Sequence, residues 1–242
     1  MGTALVEAVG LTRIHHVAGE TVAALAGLDL RIERGEFVAI MGPSGSGKST
    51  LLNVLGCLDR PTGGSYRLAG EDTAQLDAAA LARLRNRRIG FCFQSFNLLP
   101  RMSALQNVAL PLVYAGVPRR RREELARTKL IEVGLGERMN HRSTQLSGGQ
   151  QQRVAIARAL VTEPDVLLAD EPTGTLDSRT GEEVMALLQA LHAAGRTVIL
   201  VTHDAKIAAY AERLVRLRDG RMESDRLQTA RVPETPVKRE AA

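Results

Sequence analysis

Cysteines and long hydrophobic runs are scarce in this chain of 242 residues. No apolar run approaches the roughly 18 residues that a membrane-spanning helix needs, and the first residues do not start a signal peptide. The two cysteines, Cys57 and Cys92, lie in apolar segments and lack the spacing of metal ligands. These absences predict a cytoplasmic protein with buried, reduced thiols.

The composition is that of an ordinary globular protein, with 44% hydrophobic and 24% charged residues. The chain therefore fits one large domain or a domain with a subdomain. A formal net charge of +5 permits a nucleic acid or an anionic membrane surface as partner but requires neither. Its basic cluster, residues 119–122, is followed at once by Glu123 and Glu124, which favours a solvated helix start over a binding patch.

A glycine-rich segment carries the phosphate-binding pattern of the chain. It follows the apolar run 37–41, a predicted strand, and precedes residues 51–55, which are apolar at helical spacing. Residues 42–49 meet the P-loop pattern G-x-x-x-x-G-K-[ST], in which glycines let backbone N–H groups approach phosphates and a hydroxyl ligates Mg²⁺. The candidate phosphate-binding residues are Gly42, Pro43, Ser44, Gly45, Ser46, Gly47, Lys48, Ser49 and Thr50. The alternative is a glycine-rich turn that binds nothing.

The remaining pattern predicts an α/β fold with a mainly parallel sheet. Residues 4–40 alternate apolar and polar, which indicates half-buried antiparallel strands. Two apolar runs, 165–170 and 197–202, indicate buried parallel strands. The segment from 96 to 163 has helical periodicity, so we expect a helical subdomain, about residues 95–163, inserted between two strands of the core. Residues 214–220 suggest an edge hairpin, and the polar segment 223–242 is predicted to be a mobile tail.

Polar side chains follow three of the predicted strands, at the edge where ligands bind in parallel sheets. Asp170 suits Mg²⁺ through water, and Glu171 suits a general base that polarises the attacking water. Gln94 can meet both metal and water, and His203 is placed to contact a terminal phosphate. The alternatives are a helix-capping acid pair, an exposed glutamine and a structural histidine.

A second small-residue turn, residues 146–150 with the sequence LSGGQ, enters a helical run that extends to Leu160. Backbone N–H groups at a helix N-terminus form an anion site. Ser147 would equally serve as a plain helix cap, so the pattern leaves both interpretations open.

Together these segments resemble the ATP-binding subunit of ABC transporters over about residues 5–222. The resemblance identifies residues 42–49 as the Walker A motif and 166–170 as Walker B, followed by the catalytic Glu171. It identifies residues 146–150 as the LSGGQ signature, Gln94 as the Q-loop and His203 as the switch histidine. Residues 175–177 match the D-loop. The co-occurrence of LSGGQ with a P-loop is very specific.

The resemblance implies an ATPase domain over residues 4–222, with a P-loop NTPase core, an N-terminal antiparallel β subdomain and the inserted helical subdomain. It implies ATP and Mg²⁺ as cofactors. The implied catalytic residues are Lys48, Gln94, Glu171 and His203. The implied metal ligands are Ser49, Gln94 and Asp170. The implied nucleotide-binding residues outside the P-loop are His15, Gln94, Ser147, Gly148, Gly149, Gln150 and Asp177.

A narrower likeness, in residues 90–100 and 167–174, is to the lipoprotein-releasing and macrolide-export (MacB-type) subfamily, which includes the ATPase of the FtsE–FtsX pair. Two positions depart from the family's pattern. His15 or His16 stands where an aromatic ring usually stacks on adenine, and imidazole stacks more weakly than tyrosine. Thr175 replaces the usual asparagine of the D-loop, which bears on the control of coupling rather than on activity.

The resemblance also implies partners. In this family each ATP lies between the P-loop of one subunit and the LSGGQ of the other, which implies a head-to-tail homodimer. The dimer would drive an integral membrane permease at the inner face of the cell membrane, in export, lipoprotein release or mechanotransmission. Residues 96–102 would meet the permease or belong to the subdomain core, and no nucleic acid is expected.

Three alternative functions remain open. The chain could be a soluble ABC ATPase acting on DNA or ribosomes, although it lacks a second ATPase half and a long coiled-coil insertion. A regulatory module without turnover is disfavoured because Glu171 and His203 are both present. An importer ATPase is disfavoured because many of those carry an extended C-terminal regulatory domain.

Overall fold

The computed structural model describes residues 4–17 and 20–232. Its strands are β1 (Ala4–Val17), β2 (Glu20–Glu33), β3 (Phe37–Met41), β4 (Gly63–Leu68), β5 (Glu71–Asp72), β6 (Ile89–Cys92), β7 (Val166–Asp170), β8 (Thr197–Val201), β9 (Arg213–Arg218) and β10 (Arg221–Leu227). Its helices are α1 (Lys48–Leu55), α2 (Ala78–Arg88), α3 (Ala104–Tyr114), α4 (Arg119–Glu132), α5 (Gly148–Leu160), α6 (Ser178–Ala193) and α7 (Ala205–Ala208). No helix within these two ranges is long and apolar enough to span a bilayer.

The strands form two sheets, as the two kinds of hydrophobic pattern predict. The alternating N-terminal segment pairs antiparallel in a four-stranded sheet of order β2-β1-β4-β5. The apolar runs pair parallel in a six-stranded sheet of order β10-β9-β3-β8-β7-β6, in which only β10 runs antiparallel to its neighbour. The carboxyl ends of β3, β6, β7 and β8 therefore meet at one edge, where ligands bind in such sheets.

The central strands are buried on both faces because a layer of apolar structure covers each side. Phe37 and Ala39 of β3 pack into one core cluster, whereas Val38 and Ile40 pack into the other. The first cluster joins the sheet to helices α3 to α6, and the second joins it to α1, α2 and the antiparallel sheet. This two-sided burial explains why the parallel strands read as continuous apolar runs.

Helices α3, α4 and α5 lie in the chain between β6 and β7. Ser103 caps α3 with a full capping box. Helix α4 begins at Arg119, and the side chains of Arg119 and Arg120 are largely exposed, as the sequence predicts for a solvated helix start. Val108, Leu130 and Val154 are fully buried members of the shared core, one from each helix. The three helices therefore pack as one unit against the sheet.

The prediction of a mobile tail from residue 223 is wrong for residues 223–231. Strand β10 pairs with β9 as far as Leu227, and the Gln228 side chain donates to the carbonyls of Ala208 and Ala211. The Arg231 backbone N–H donates to the carbonyl of Ala209. Polar side chains hold this segment by hydrogen bonds to backbone rather than by apolar burial. Its polar composition therefore resembles that of a mobile tail although the segment is ordered by these bonds. Residues 233–242 lie outside the described residues.

Candidate active site

The turn between β3 and α1 has the backbone of a phosphate cradle. Gly47 has φ 98° at the N-cap of α1, and a side chain at Gly42 would place Cβ only 2.3 Å from the Leu217 carbonyl oxygen. Both positions therefore require glycine. The Lys48 ammonium donates to the carbonyls of Gly42 and Pro43, at 2.8 Å each. The lysine thus lies folded over the turn, with its charge at the mouth of the cradle.

A cleft of about 730 Å³ opens above this turn, a volume within the usual range for small-molecule sites. The predicted site residues that line it are Gly42, Pro43, Ser44, Lys48, Ser49, Asp170, Glu171 and His203. The ends of β7 and β8 therefore converge on the P-loop, as the sequence predicts, whereas the end of β6 with Gln94 does not join them. Asp170 ends β7, and His203 follows β8 by two residues.

Glu171 is held in place by three donors. The Thr202 hydroxyl donates to Oε2 at 3.0 Å, and the His203 backbone N–H donates to Oε1 at 2.8 Å. His203 Nδ1 lies 2.6 Å from the same Oε1 atom. Glu171 itself has φ 44°, and its N–H donates to the carbonyl of Val201. This left-handed backbone turns the carboxylate back toward β8 instead of capping the next helix, which Asp177 caps.

The carboxylate of the neighbouring residue, Asp170, is a candidate ligand for a cation. Burial raises the pKa of Asp170, the charge of Glu171 raises it further, and Lys48 partly opposes both effects. A divalent ion prefers oxygen ligands, and Asp170 and Ser49, which both line the cleft, carry a carboxylate and a hydroxyl that can supply them. The residues present therefore fit Mg²⁺ bound together with the phosphates of a nucleotide.

Gln94 is exposed and is absent from the residues that line the cleft. It packs beside the turn after Glu171, where a side chain at Gly174 would place Cβ 2.7 Å from Gln94 Nε2. The Thr175 hydroxyl donates a hydrogen bond to the Gln94 carbonyl oxygen at 3.4 Å. The structure therefore places Gln94 beside the D-loop, and its role as a metal ligand stays a prediction.

The LSGGQ turn does not line the P-loop cleft. Ser147 caps α5 with a complete capping box, so the alternative of a plain helix cap holds in this structure. Gly149 packs so closely on α6 that a Cβ would lie 2.3 Å from Thr180 Cγ2. Ser147 is nevertheless exposed, and its phosphate-binding role stays a prediction. Asp177 likewise caps its helix by accepting from the Thr180 N–H at 3.0 Å.

The histidines predicted to meet adenine lie near the end of β1. His15 pairs with Val22 across the antiparallel sheet, and His16 Nδ1 lies 3.3 Å from the Thr21 hydroxyl. Neither belongs to the lining. The choice between them stays open, as does the contact with adenine.

Three further residues of the site carry no prediction from the sequence. Arg216 of β9 and Glu223 of β10 line the cleft beside the P-loop, because β9 pairs directly with β3. Thr202 holds Glu171, as described above. The strand order is invisible in a local pattern, so no sequence signal marks the first two. Thr202 directly precedes the predicted site residue His203, and this position is the sequence signal that could have identified it.

The ABC transporter family model matches residues 25–174 of the chain. The chain belongs to this family. It is an ATP-binding cassette with an ABC ATPase domain, and both the predicted fold class and the predicted enzyme class are confirmed.

Individual relatives also support membership of the ABC transporter family. A protein of Aeromonas hydrophila described as macrolide export ATP-binding/permease protein MacB 2 is 52% identical over 238 residues, which cover 98% of this chain and 37% of that protein. An uncharacterized ABC transporter ATP-binding protein of Thermotoga maritima is 52% identical over 219 residues, 90% of this chain and 94% of that protein. The chain thus spans about a third of the length of the MacB relatives that it matches.

Among solved structures, the dimeric post-hydrolysis state of the ATP-binding cassette MJ0796, bound to ADP and Pi, matches with a TM-score of 0.84. Its sequence is 46% identical, and the match covers 92% of this chain and 98% of that one. These relatives favour the transporter cassette over a soluble or regulatory ABC ATPase.

Proposed function

We propose that this cassette works as a homodimer that hydrolyses Mg-ATP at two shared sites and drives a membrane permease. One observation carries the proposal. The P-loop cleft gathers Lys48, Asp170, Glu171 and His203, whereas the LSGGQ turn lies outside that cleft. A site that also needs LSGGQ must therefore take it from a second copy.

Within each site the chain's own residues act by position and charge. The backbone N–H groups of residues 42–49 and the Lys48 ammonium hold the phosphates. Glu171 orients the attacking water and accepts its proton, while Thr202 and His203 fix its carboxylate. When bound, Mg²⁺ supplies positive charge that neutralises the phosphate oxygens; its ligands would be Ser49, Asp170 and Gln94.

The second copy would contribute Ser147 and Gly149 to the phosphate end of each site. Ser147 is exposed at the N-terminus of α5, where free N–H groups and the helix dipole favour an anion. The dimeric state of the MJ0796 cassette supports this arrangement. In a symmetric head-to-tail pair, the same contact occurs twice and closes both sites.

A second groove supports a membrane partner. It has a volume of about 780 Å³ and lies between α2 and the end of α3, with an apolar floor that includes Phe91, Phe93 and Leu110. Its walls carry Arg83, Arg85, Arg87 and Arg158, and no Asp or Glu lines it among the described residues. A basic-walled apolar groove fits a helical segment with apolar and acidic side chains.

We assign this groove to a cytoplasmic segment of the permease. The matched MacB relatives are described as ATP-binding/permease proteins, which supports a permease of that type for this cassette. Exposed apolar side chains at the rim, Leu58 at 48% and Tyr114 at 77% exposure, extend the surface that such a segment would cover. The permease would determine whether ATP hydrolysis drives export, lipoprotein release or mechanotransmission.

The experiment that tests the proposal uses Glu171→Gln. This variant should bind ATP with near-parent affinity, lose turnover, and shift from monomer to dimer on addition of Mg-ATP in analytical ultracentrifugation. Adding Ser147→Arg should abolish the shift, because a bulky cation would fill the phosphate end of the interface. Arg179→Gln, an exposed position on the neighbouring helix, is the matched control. A Glu171→Gln protein that hydrolyses ATP at the parent rate, or stays monomeric at saturating ATP, would contradict the proposal.

A further inference from the structure

Arg158, on helix α5, joins the helix that begins at LSGGQ to the loop that follows Gln94. Its Nη1 donates to the carbonyl oxygen of Asn97 at 2.6 Å, and its Nη2 donates to that of Phe96 at 2.8 Å. The two N–H groups of one planar guanidinium thus bind two consecutive carbonyls. No carboxylate pairs with Arg158 in the described part of the chain. These two carbonyls are its polar partners.

The loop is shaped for this contact. Phe96 has φ 58° and Asn97 has φ 48°, so two successive residues other than glycine adopt the left-handed conformation. Such residues persist only where surrounding contacts hold them. Here the turn points both carbonyls at Arg158. Burial lowers the pKa of Arg158, because the partly desolvated guanidinium cation is less stable here than in water. Holding this cation in place therefore costs free energy.

Gln94 stands two residues before this turn, and a second contact fixes its other side. Thr175 holds the Gln94 carbonyl from the D-loop, and Gly174 leaves room for the Gln94 amide. The segment is therefore fixed between α5 and the turn after Glu171. Arg158 is its anchor on the α5 side.

We propose that Arg158 is the positioning residue for Gln94, coupling the placement of the LSGGQ helix and of the basic-walled groove to the active site. The inference rests on the role proposed above for Gln94. Arg158 and Asn97 both line the groove. A permease segment seated there would touch the same hydrogen-bonded pair that sets the Gln94 loop.

A double-mutant cycle on ATP hydrolysis tests this. Arg158→Gln removes the paired donors, and we expect kcat to fall by roughly tenfold to a hundredfold, since a misplacement of about 1 Å can cost about a hundredfold. The KM for ATP should stay within about twofold, because the P-loop is untouched. The Mg²⁺ concentration for half-maximal activity should rise. Arg158→Lys, which can reach one carbonyl at a time, should recover part of the loss.

The decisive comparison is made in the Gln94→Ala background. If Arg158 acts through Gln94, adding Arg158→Gln to Gln94→Ala should cost nothing further. Arg153→Gln is the matched control, because Arg153 lies on the same helix and contacts Glu183 and the Val133 carbonyl instead. It should retain parent activity in both backgrounds. Melting temperatures of all variants report on folding, and Arg158→Lys carries the same cycle if Arg158→Gln does not fold.

Three outcomes would overturn the inference. The first is parent-like kcat in Arg158→Gln, and the second is a loss that adds in full to that of Gln94→Ala. Either leaves the role of Gln94 intact. The third is a Gln94→Ala variant with parent kcat and parent Mg²⁺ dependence, which would overturn the role of Gln94 itself and, with it, this coupling.

Discussion

The hydroxyl of Thr202 donates a hydrogen bond to Glu171 Oε2 at 3.0 Å, while its oxygen accepts one from the Asp204 N–H at 3.1 Å. Thr202 is 1% exposed, so water does not compete for either bond. A buried side chain at the end of β8 thus links the proposed general base to the turn that carries His203. The orientation of the Glu171 carboxylate therefore depends on the end of β8 as much as on the end of β7.

Thr202→Val removes that donor at nearly constant volume. We expect kcat for ATP hydrolysis to fall about tenfold, because a hydrogen bond to a charged group contributes about 1.5–3 kcal/mol, and KM to change little. Thr202→Ser should restore most of the rate. Thr197→Val, at the other end of β8, is the control, since the Thr197 hydroxyl accepts from the Gly35 N–H, far from the cleft. Equal rates for Thr202→Val and the parent would show that His203 alone suffices.

Gly174→Ala should impair hydrolysis by displacing Gln94. Its Cβ would lie 2.7 Å from Gln94 Nε2 and 3.4 Å from the Glu171 carbonyl oxygen, so the flexible amide must move. We expect kcat to fall by roughly tenfold. Gly136→Ala is the matched control, because its Cβ would make an ordinary contact at 3.5 Å with Ile131 Cγ1. A parent-like rate for Gly174→Ala would mean that Gln94 works equally well in another position.

Charge reversal in the groove should separate membrane attachment from hydrolysis. Arg83 and Arg87 line the groove, and neither has a carboxylate partner among the residues placed by the structure. Arg83→Glu combined with Arg87→Glu should remove the cassette from the membrane fraction of cells that express its permease, while the ATPase rate of the purified cassette stays within about twofold. Arg218→Glu, exposed on β9, should retain attachment. If attachment survives reversal of both groove charges, the groove is not the docking site.

Asp165 should give the cassette a measurable sensitivity to acid. Burial by itself would raise the pKa of Asp165, but hydrogen bonds from Arg34 at 2.5 Å and Arg88 at 2.8 Å outweigh burial and lower it. A lowered folded-state pKa contributes stability above the unfolded value of about 3.9, and that stability is lost as the pH falls through the folded value.

We therefore expect Asp165→Asn to lower the free energy of unfolding by about 1 kcal/mol at pH 7, a size typical of partly exposed pairs. The difference from the parent, measured by urea unfolding, should shrink below about pH 4. Asp219→Asn, at a side chain that is 92% exposed, should change little at any pH. A difference that is constant from pH 7 to pH 3 would assign the effect to packing rather than to charge.

The sequence predicts the parts of this molecule that depend on neighbouring residues. A continuous apolar strand followed by a glycine turn specifies the P-loop, because the turn chemistry and the helix start lie within a few residues of each other. The same holds for Asp170, Glu171 and His203 at strand ends. The alternation of residues 4–40 predicts a half-buried antiparallel sheet, and β1 and β2 form one.

Features that depend on strand order or on long-range hydrogen bonds were not predictable in this way. Arg216 reaches the cleft because β9 lies next to β3, and nothing local to residue 216 records this. The left-handed turn at Phe96 and Asn97 contains no glycine to announce it. The polar segment after Ser224 is held by backbone carbonyls of α7 and the residues that follow it, which composition does not register.

The separation of the LSGGQ turn from the P-loop cleft inverts the usual genetics of two lesions. Suppose that one copy of the proposed dimer carries both Lys48→Ala and Ser147→Arg while the other is intact. Each site then receives one damaged half, and both fail. If the two lesions instead lie on different copies, they fall on the same site, and the other site keeps an intact P-loop and an intact signature. Lesions in cis are therefore the more harmful arrangement, whereas two recessive lesions in a gene whose product has self-contained sites are the more harmful in trans.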